Sequence, residues 1–202
     1  RRKDQVYMDL MGLLTDQGIR VVSFSALNDI EKKQLERYFE QEIKPLLSTI
    51  IVGKKQPFPF LQNREIYAVA VLETRSDKAK IGIIPCASRV FDRLVPVPGR
   101  SGYYMLAEEL ILHFLPMVFD KYRVQEKSLI RITRNADIDA DSIYDEDLNY
   151  REHMEEVVRQ RRKLSPVRLE MTRTLDTGII DRLCRVLELS ENQVFMSQSP
   201  LD

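Results

Sequence analysis

Apolar positions along this chain alternate between two periods, and the changes of period mark its elements. Val6, Leu10, Leu13 and Leu14 recur at helical spacing, and Gly18 supplies a C-terminal stop. "IRVVSF", residues 19–24, then reads as a short strand. Asn28 and Glu31 have the spacing of a capping box, and Leu35, Tyr38, Phe39 and Ile43 form one apolar helix face behind it. Pro45 is expected to end that helix, because proline disfavours helical geometry in the residue before it.

The stretch "GKKQPFPFLQN", 53–63, is the best internal boundary, with Gly, two prolines and Asn together. "EIYAVAVLE" and "AKIGIIPCA" are apolar, rich in β-branched residues and separated by the polar tip "TRSDK", which predicts a β-hairpin. "VPVPGRSG", 95–102, reads as a loop and "YYML" as a strand entering the helix "AEELILHFLPMVF". That helix is apolar nearly all round, so it should be buried, and Pro116 should kink or shorten it. "SLIRITR" alternates as a strand, and a charged helix is expected from about Ser142 to Lys163. "VRLEMT" places Val167, Leu169 and Met171 on one strand face. Ile179, Ile180, Leu183 and Leu187 mark a last helix, and "NQVFM" a last strand. Strands and helices mix without a strict βα repeat. The expected class is α+β, a mixed sheet packed with helices and preceded by a short helical segment.

Charge narrows the function classes. Lys+Arg and Asp+Glu are equal at 31 each, so no general basic surface for nucleic acid is indicated. Two distant cysteines, Cys86 and Cys184, form neither a zinc pair nor a disulfide framework, which fits a reduced, cytoplasmic protein. No apolar run reaches the roughly 20 residues of a membrane span. The sequence opens on "RRKDQVYMDL", without an initiating Met or a signal-peptide core, so the chain is expected to start inside a longer polypeptide.

The candidate chemistry centres on "RITRNADIDAD", 131–141. Asp137, Asp139 and Asp141 resemble the start of a calcium loop. The sixth and twelfth positions are Ser142 and Leu148, so the turn glycine and bidentate glutamate are missing. The acids instead fit a helix start, where the dipole favours negative charge. Strand alternation puts Arg131 with Leu129 and Thr133, and Arg134 with Ile130 and Ile132, so the two arginines should not form one anion clamp. Either could pair with a nearby aspartate or meet a polyanion or partner. Arg159, Arg161, Arg162 and Lys163 form a basic cluster, read either as helix C-terminal complementarity or as a docking patch for a polyanion. "GRSG", 99–102, matches a GxxG loop, but it precedes a strand and does not join two helices. His113 is expected as a packed core residue and His153 as an exposed one, with no catalytic grouping around either.

The order of segments carries a resemblance. "PFPFLQNREIYAVAVLE", "RVFDRLVPVPG", "YYMLAEELILHFLPMVF", "IRITRNADIDAD", "PVRLEMT" and "LELSENQVFMSQSPLD" together resemble the middle, or head, domain of polyphosphate kinases of the histidine-phosphorylated type. "DQGIRVVSFSALNDIEKKQLERYFEQEIKPLL" is similar to the end of that family's helical N-terminal domain. The resemblance implies a division into residues 1–56, the end of the helical domain, and 57–202, the head domain. It implies a parent that moves the γ-phosphate of ATP reversibly onto polyphosphate, through a phosphohistidine and with Mg²⁺. It also implies a homodimer, and partners in the remaining domains of the same polypeptide. The family's catalytic histidines and phosphate-binding arginines lie in C-terminal domains, so no catalytic residue is carried onto this chain. This part alone is expected to be inactive and to bind no cofactor itself, serving assembly. The alternative is a stand-alone polyanion-binding or adaptor module.

Overall fold

A computed structural model describes residues 2–53, 55–74, 79–86, 91–135 and 165–201. The elements follow in the order α1 (Arg2–Asp16), β1 (Arg20–Val21), α2 (Asp29–Tyr38), β2 (Ile50–Val52), β3 (Ile66–Glu73), β4 (Lys80–Pro85), β5 (Leu94–Pro96) and β6 (Tyr103–Leu106). Then come α3 (Ala107–His113), α4 (Leu115–Val118), β7 (Arg123–Arg134), β8 (Pro166–Met171), α5 (Thr177–Leu187) and β9 (Val194–Met196). The fold is α+β, as the pattern predicts.

A six-stranded sheet in the order β2-β4-β3-β7-β8-β9 forms the centre, antiparallel except for the parallel β8–β9 pair. Both of its faces carry a core. On one, Ala68, Ala70, Leu72 and Leu129 meet Leu35 and Phe39 of the α2 segment and Leu110, Ile111 and Leu115 of α3 and α4. On the other, Val69, Val71, Ile81, Ile83, Ile130 and Ile132 meet Ile179, Leu183 and Leu187 of α5. Coverage on both sides explains why "YAVAVL" in β3 is apolar without interruption. Burying one Leu or Ile of these faces contributes about 1.5–3 kcal/mol.

A three-stranded sheet, β1-β6-β5, sits beside the large one. The turn before β1 packs closely on Gly102, whose φ is +78° and where a Cβ would run into the carbonyl oxygen of Gly18. The Gly102 carbonyl accepts from the Arg20 N–H at 2.8 Å, so a side chain at 102 would disrupt the β1–β6 pairing.

Local chemistry sets the helix ends. Asn28 accepts from the N–H groups of Ile30 (3.0 Å) and Glu31 (2.9 Å), and the Glu31 carboxylate accepts from the Asn28 N–H at 2.9 Å, completing the expected capping box. Behind α2 the chain widens into a π-turn, Phe39–Ile43, with the Lys44 N–H donating to the Phe39 carbonyl. A 3-10 turn, Lys44–Leu46, then contains Pro45. The helical path therefore runs through the proline, because a first-turn position needs no N–H.

Other departures from the sequence reading trace mostly to partners elsewhere in the chain. Only Arg20–Val21 of "IRVVSF" is strand, since its partner β6 is short. Val95 and Pro96, read as loop, belong to the strand Leu94–Pro96, paired antiparallel with β6, and the Pro96 position is tolerated at the short outer strand. Val167 is 42% exposed although Leu169 and Met171 are buried, because the β7–β8 pairing passes from Arg168 to Pro166 and leaves Val167 as an extra residue out of the alternation. The long apolar helix breaks at Phe114, two residues before Pro116, into α3 and α4. The charged helix expected from Ser142 to Lys163 lies outside the described residues.

Candidate functional site

Arg131 and Arg134 lie three residues apart on β7 and point to opposite faces of the sheet. Arg131 opposes Ile66 on β3 and Glu170 on β8. Its Nε and Nη2 donate to Glu170 Oε2 at 3.1 and 2.9 Å. Arg168 Nη2 approaches the other oxygen of Glu170 at 3.2 Å, and its guanidinium stacks 4.5 Å from the ring of Phe195. Glu170 is thus buried between two cations, which is how a carboxylate is accommodated away from water. Pairing was legible for Arg131, but the expected partner was a nearby aspartate, and the carboxylate found is Glu170 of the next strand. Glu170 itself was missed, because alternation marked its strand but not which carboxylate would meet which arginine.

Arg134 is buried on the α5 side. Its Nε donates to the Leu61 carbonyl at 2.9 Å, and the guanidinium stacks 4.1 Å from the ring of Phe60. Burial pushes its pKa below the ordinary arginine value. Its own N–H donates to Asn63 Oδ1 at 2.9 Å. This arginine therefore pins "FLQN" of the presumed boundary stretch to the sheet.

Three further arginines act as internal ties. Arg93 Nε and Nη2 donate to Glu108 Oε1 at 2.9 and 2.7 Å, and Nη2 also reaches the Leu201 carbonyl at 2.9 Å. Arg182 of α5 donates to the carbonyls of Gly53 (2.7 Å), Val52 (3.3 Å) and Ala79 (3.3 Å), joining the ends of β2 and β4. Arg100, in the "GRSG" turn, stacks 4.1 Å from Tyr103 and pairs with the buried Glu31 at 3.4 Å. That turn closes the β5–β6 hairpin and joins no helices.

His113 differs from its expected place in the core. It is exposed at the end of α3, its ring stacked 3.7 Å from Phe24, while the neighbouring Phe114 takes the buried position. Partial desolvation and the charges of Lys127, Arg173 and Lys32 push its pKa below the ordinary value. Lys127 Nζ donates to the His113 carbonyl at 2.9 Å, and Arg173 pairs with Glu109 at 2.9 Å. Among the described residues no group of three or more His, Cys, Asp or Glu could hold a metal ion. Arg159, Arg161, Arg162, Lys163, His153, Asp137, Asp139 and Asp141 lie outside the described residues. No helix among the described residues is long and apolar enough to cross a membrane.

One apolar surface is conspicuous. Helix α1 buries none of its residues, and Val6, Leu10 and Leu13 are exposed at 59, 49 and 65%. A groove of about 460 Å³ runs between α1 and the small sheet, lined by Leu10, Met11, Ile19, Leu94 and Leu106 among others.

These features define an α+β module with a two-faced central sheet, internally paired arginines and one uncovered helix. A family model described as the polyphosphate kinase middle domain matches residues 30–202. The chain belongs to the polyphosphate kinase family. It is 33% identical over 205 residues to the polyphosphate kinase of Halalkalibacterium halodurans, covering 99% of this chain and 29% of that protein. It is 30% identical over 212 residues to the polyphosphate kinase of Mycobacterium avium, covering 100% of this chain and again 29% of the relative. The crystal structure of polyphosphate kinase from Porphyromonas gingivalis has the same fold over 98% of this chain, at TM-score 0.71 and 19% identity, using 29% of that chain. The chain thus spans less than a third of the length of these relatives.

Proposed function

We propose that this chain is the assembly portion of a polyphosphate kinase, and that its parent transfers the γ-phosphate of ATP reversibly to polyphosphate. In this reading the phosphohistidine, the ATP site and Mg²⁺ belong to other domains of the same polypeptide. The chain supplies a rigid module between them and supports a cytoplasmic homodimer. The observation that carries the reading is the family match over residues 30–202. A histidine nucleophile would divide the transfer into two easier steps, and cations would offset charge on the moving phosphoryl group.

The division at residue 56 remains part of the proposal. Residues 1–56 would close the preceding helical domain, and 57–202 would form the head. The uncovered Val6–Leu10–Leu13 stripe supports this for α1 alone, as a helix that buries none of its own residues here needs a cover elsewhere, whereas Leu35 and Phe39 already pack against the large sheet. Its proposed occupant is the rest of that helical domain. A contact between polyphosphate and Arg131 or Arg134 would require each guanidinium to share or exchange its present internal partner. The basic run Arg159, Arg161, Arg162 and Lys163 stays a proposed polyanion or partner contact on its sequence alone.

The test compares the 202-residue chain with its full-length parent in an assay of ATP-dependent polyphosphate synthesis. Synthesis by the parent and none by the chain is expected. Turnover by the purified chain, or an inactive parent, overturns the reading.

A further inference from the structure

A second basic feature, unrelated to the arginines of β7's far end, lies where β7 begins. Lys80 at the start of β4 and Lys121, Tyr122 and Arg123 before and at the start of β7 surround a hollow of about 370 Å³, with Glu73 and Thr74 on its remaining side. Lys80 Nζ sits 5.5 Å from the centroid of the Tyr122 ring. Arg123 is 83% exposed, and its contact with Glu73 is long at 3.7 Å. Lys80, Lys121 and Arg123 therefore line one open hollow in which Glu73 is the carboxylate among the described residues, in a chain whose formal charge is zero. Elsewhere in the described structure Arg93, Arg131 and Arg173 spend their charge at 2.7–2.9 Å on a carboxylate.

The backbone holds this arrangement by a specific device. Between β3 and β7 the pairing runs Val71 with Glu126 and then Leu72 with Val124, so Gln125 is an extra residue on β7. Without it, the strand beyond would slip by one and every side chain would change face. With it, Tyr122 and Val124 pack toward the helix-covered core, beside Leu72. Lys80 opposes that same Leu72 from β4, which places its ammonium over the Tyr122 ring. Arg123 is left opposing Glu73 at the rim.

From this geometry we infer that the hollow formed by Lys80, Lys121, Tyr122 and Arg123 is a binding site for an oligophosphate. Three positive groups lining one hollow match the several charged oxygens of a short phosphate chain. The chemistry is common to inorganic oligophosphate and to the triphosphate of a nucleotide. The choice of an oligophosphate over other anions rests on the polyphosphate kinase reading. The site itself rests on the hollow, its charges and the bulge.

The test is calorimetric titration of the 202-residue chain with sodium tripolyphosphate, with ATP, and with sulfate, at several salt concentrations. The variants are Lys121→Gln alone and Lys80→Gln/Lys121→Gln/Arg123→Gln together, each checked by thermal melting. Tripolyphosphate binding is expected, weakened at least about tenfold in the triple variant. The salt slope is expected to fall by about one for each cation removed. ATP binding equally well, and lost with the same substitutions, supports a triphosphate site that takes either source. Preference for tripolyphosphate over ATP supports the inorganic chain. Absence of binding, binding unchanged in both variants, or sulfate binding as tightly as tripolyphosphate overturns the inference. Should the triple variant fail to melt cooperatively, the exposed Lys121→Gln decides through its affinity and salt slope. A parent that makes polyphosphate while this chain binds no oligophosphate would sink the inference and leave the family reading standing.

Discussion

The ring of Phe119 occupies the space that a side chain at Gly82 would need: a Cβ there would lie 2.6 Å from Phe119 Cζ. Gly82 is in β4, opposite Ala70 and Ile51, and Phe119 is buried at 3% exposure. The contact lets the chain after α4 press flat against the sheet. Gly82→Ala should destabilise the chain by about 1–3 kcal/mol through overpacking. Phe119→Leu should remove part of that clash, so the double variant should be less destabilised than the two single effects added. Urea denaturation of the four proteins measures the coupling, and strict additivity would refute the contact.

Glu170 with its two arginines predicts an asymmetry between breaking and replacing a buried pair. Glu170→Ala leaves Arg131, whose side chain is 14% exposed, without its carboxylate. A loss of about 3–5 kcal/mol is expected. Replacing Glu170 and Arg131 by methionine should recover much of it, because the one cation left without its carboxylate, Arg168, is 47% exposed and stays hydrated. Chemical denaturation distinguishes the cases, and a single variant as stable as the parent chain would remove Glu170 from its assigned place.

His113 predicts a pH dependence with a definite sign. Its folded-state pKa lies below the ordinary value, first through desolvation and then through Lys127, Arg173 and Lys32. Glu109 faces the same cluster through Arg173. As pH falls, the unfolded chain takes up this proton before the folded chain does. The contribution is therefore complete above the ordinary histidine pKa of about 6.5 and is lost as pH drops below it. His113→Phe should keep the stack on Phe24 and flatten stability between about pH 7.5 and 5.5. Urea midpoints across that range provide the check. An unchanged slope in the variant would assign the dependence to other groups.

Burial raises the pKa of both Cys86 and Cys184. Thiolate is the reactive form, so both should resist alkylation in the native chain at neutral pH and react quickly after denaturation. Rapid native labelling of either, followed by mass spectrometry, would contradict their placement.

The stripe on α1 makes a prediction that separates the chain from its parent. Val6→Gln, Leu10→Gln and Leu13→Gln should each change the stability of the 202-residue chain by less than about 0.5 kcal/mol, as exposed substitutions do. The same changes in the full-length parent should lower its melting temperature, since there the stripe would be covered. Equal tolerance in both proteins would argue against the proposed occupant.

Much of the fold was legible because its determinants are local. The capping box of Asn28 and Glu31, the hairpin of β3 and β4, and the face of α5 each depend on residues close in sequence. The opposite facing of Arg131 and Arg134 followed from strand alternation alone. What was hidden depends on distant partners. Leu94–Pro96 becomes a strand only because β6 lies beside it, and His113 reaches the surface because Phe114 takes the inward position. The basic hollow escaped notice because Lys80 and Lys121 are 41 positions apart in the numbering and are joined by a bulge. Strand pattern alone does not announce an extra residue at Gln125.

Arg93 links Glu108 to the Leu201 carbonyl, and Ser199 Oγ donates to Asp4 Oδ1 at 2.7 Å across 195 positions of sequence. The first helix and the last residues of the chain are therefore fastened at one spot. The two ends of the chain thus form a clasp, and a disturbance at either one reaches the other through the Ser199–Asp4 hydrogen bond.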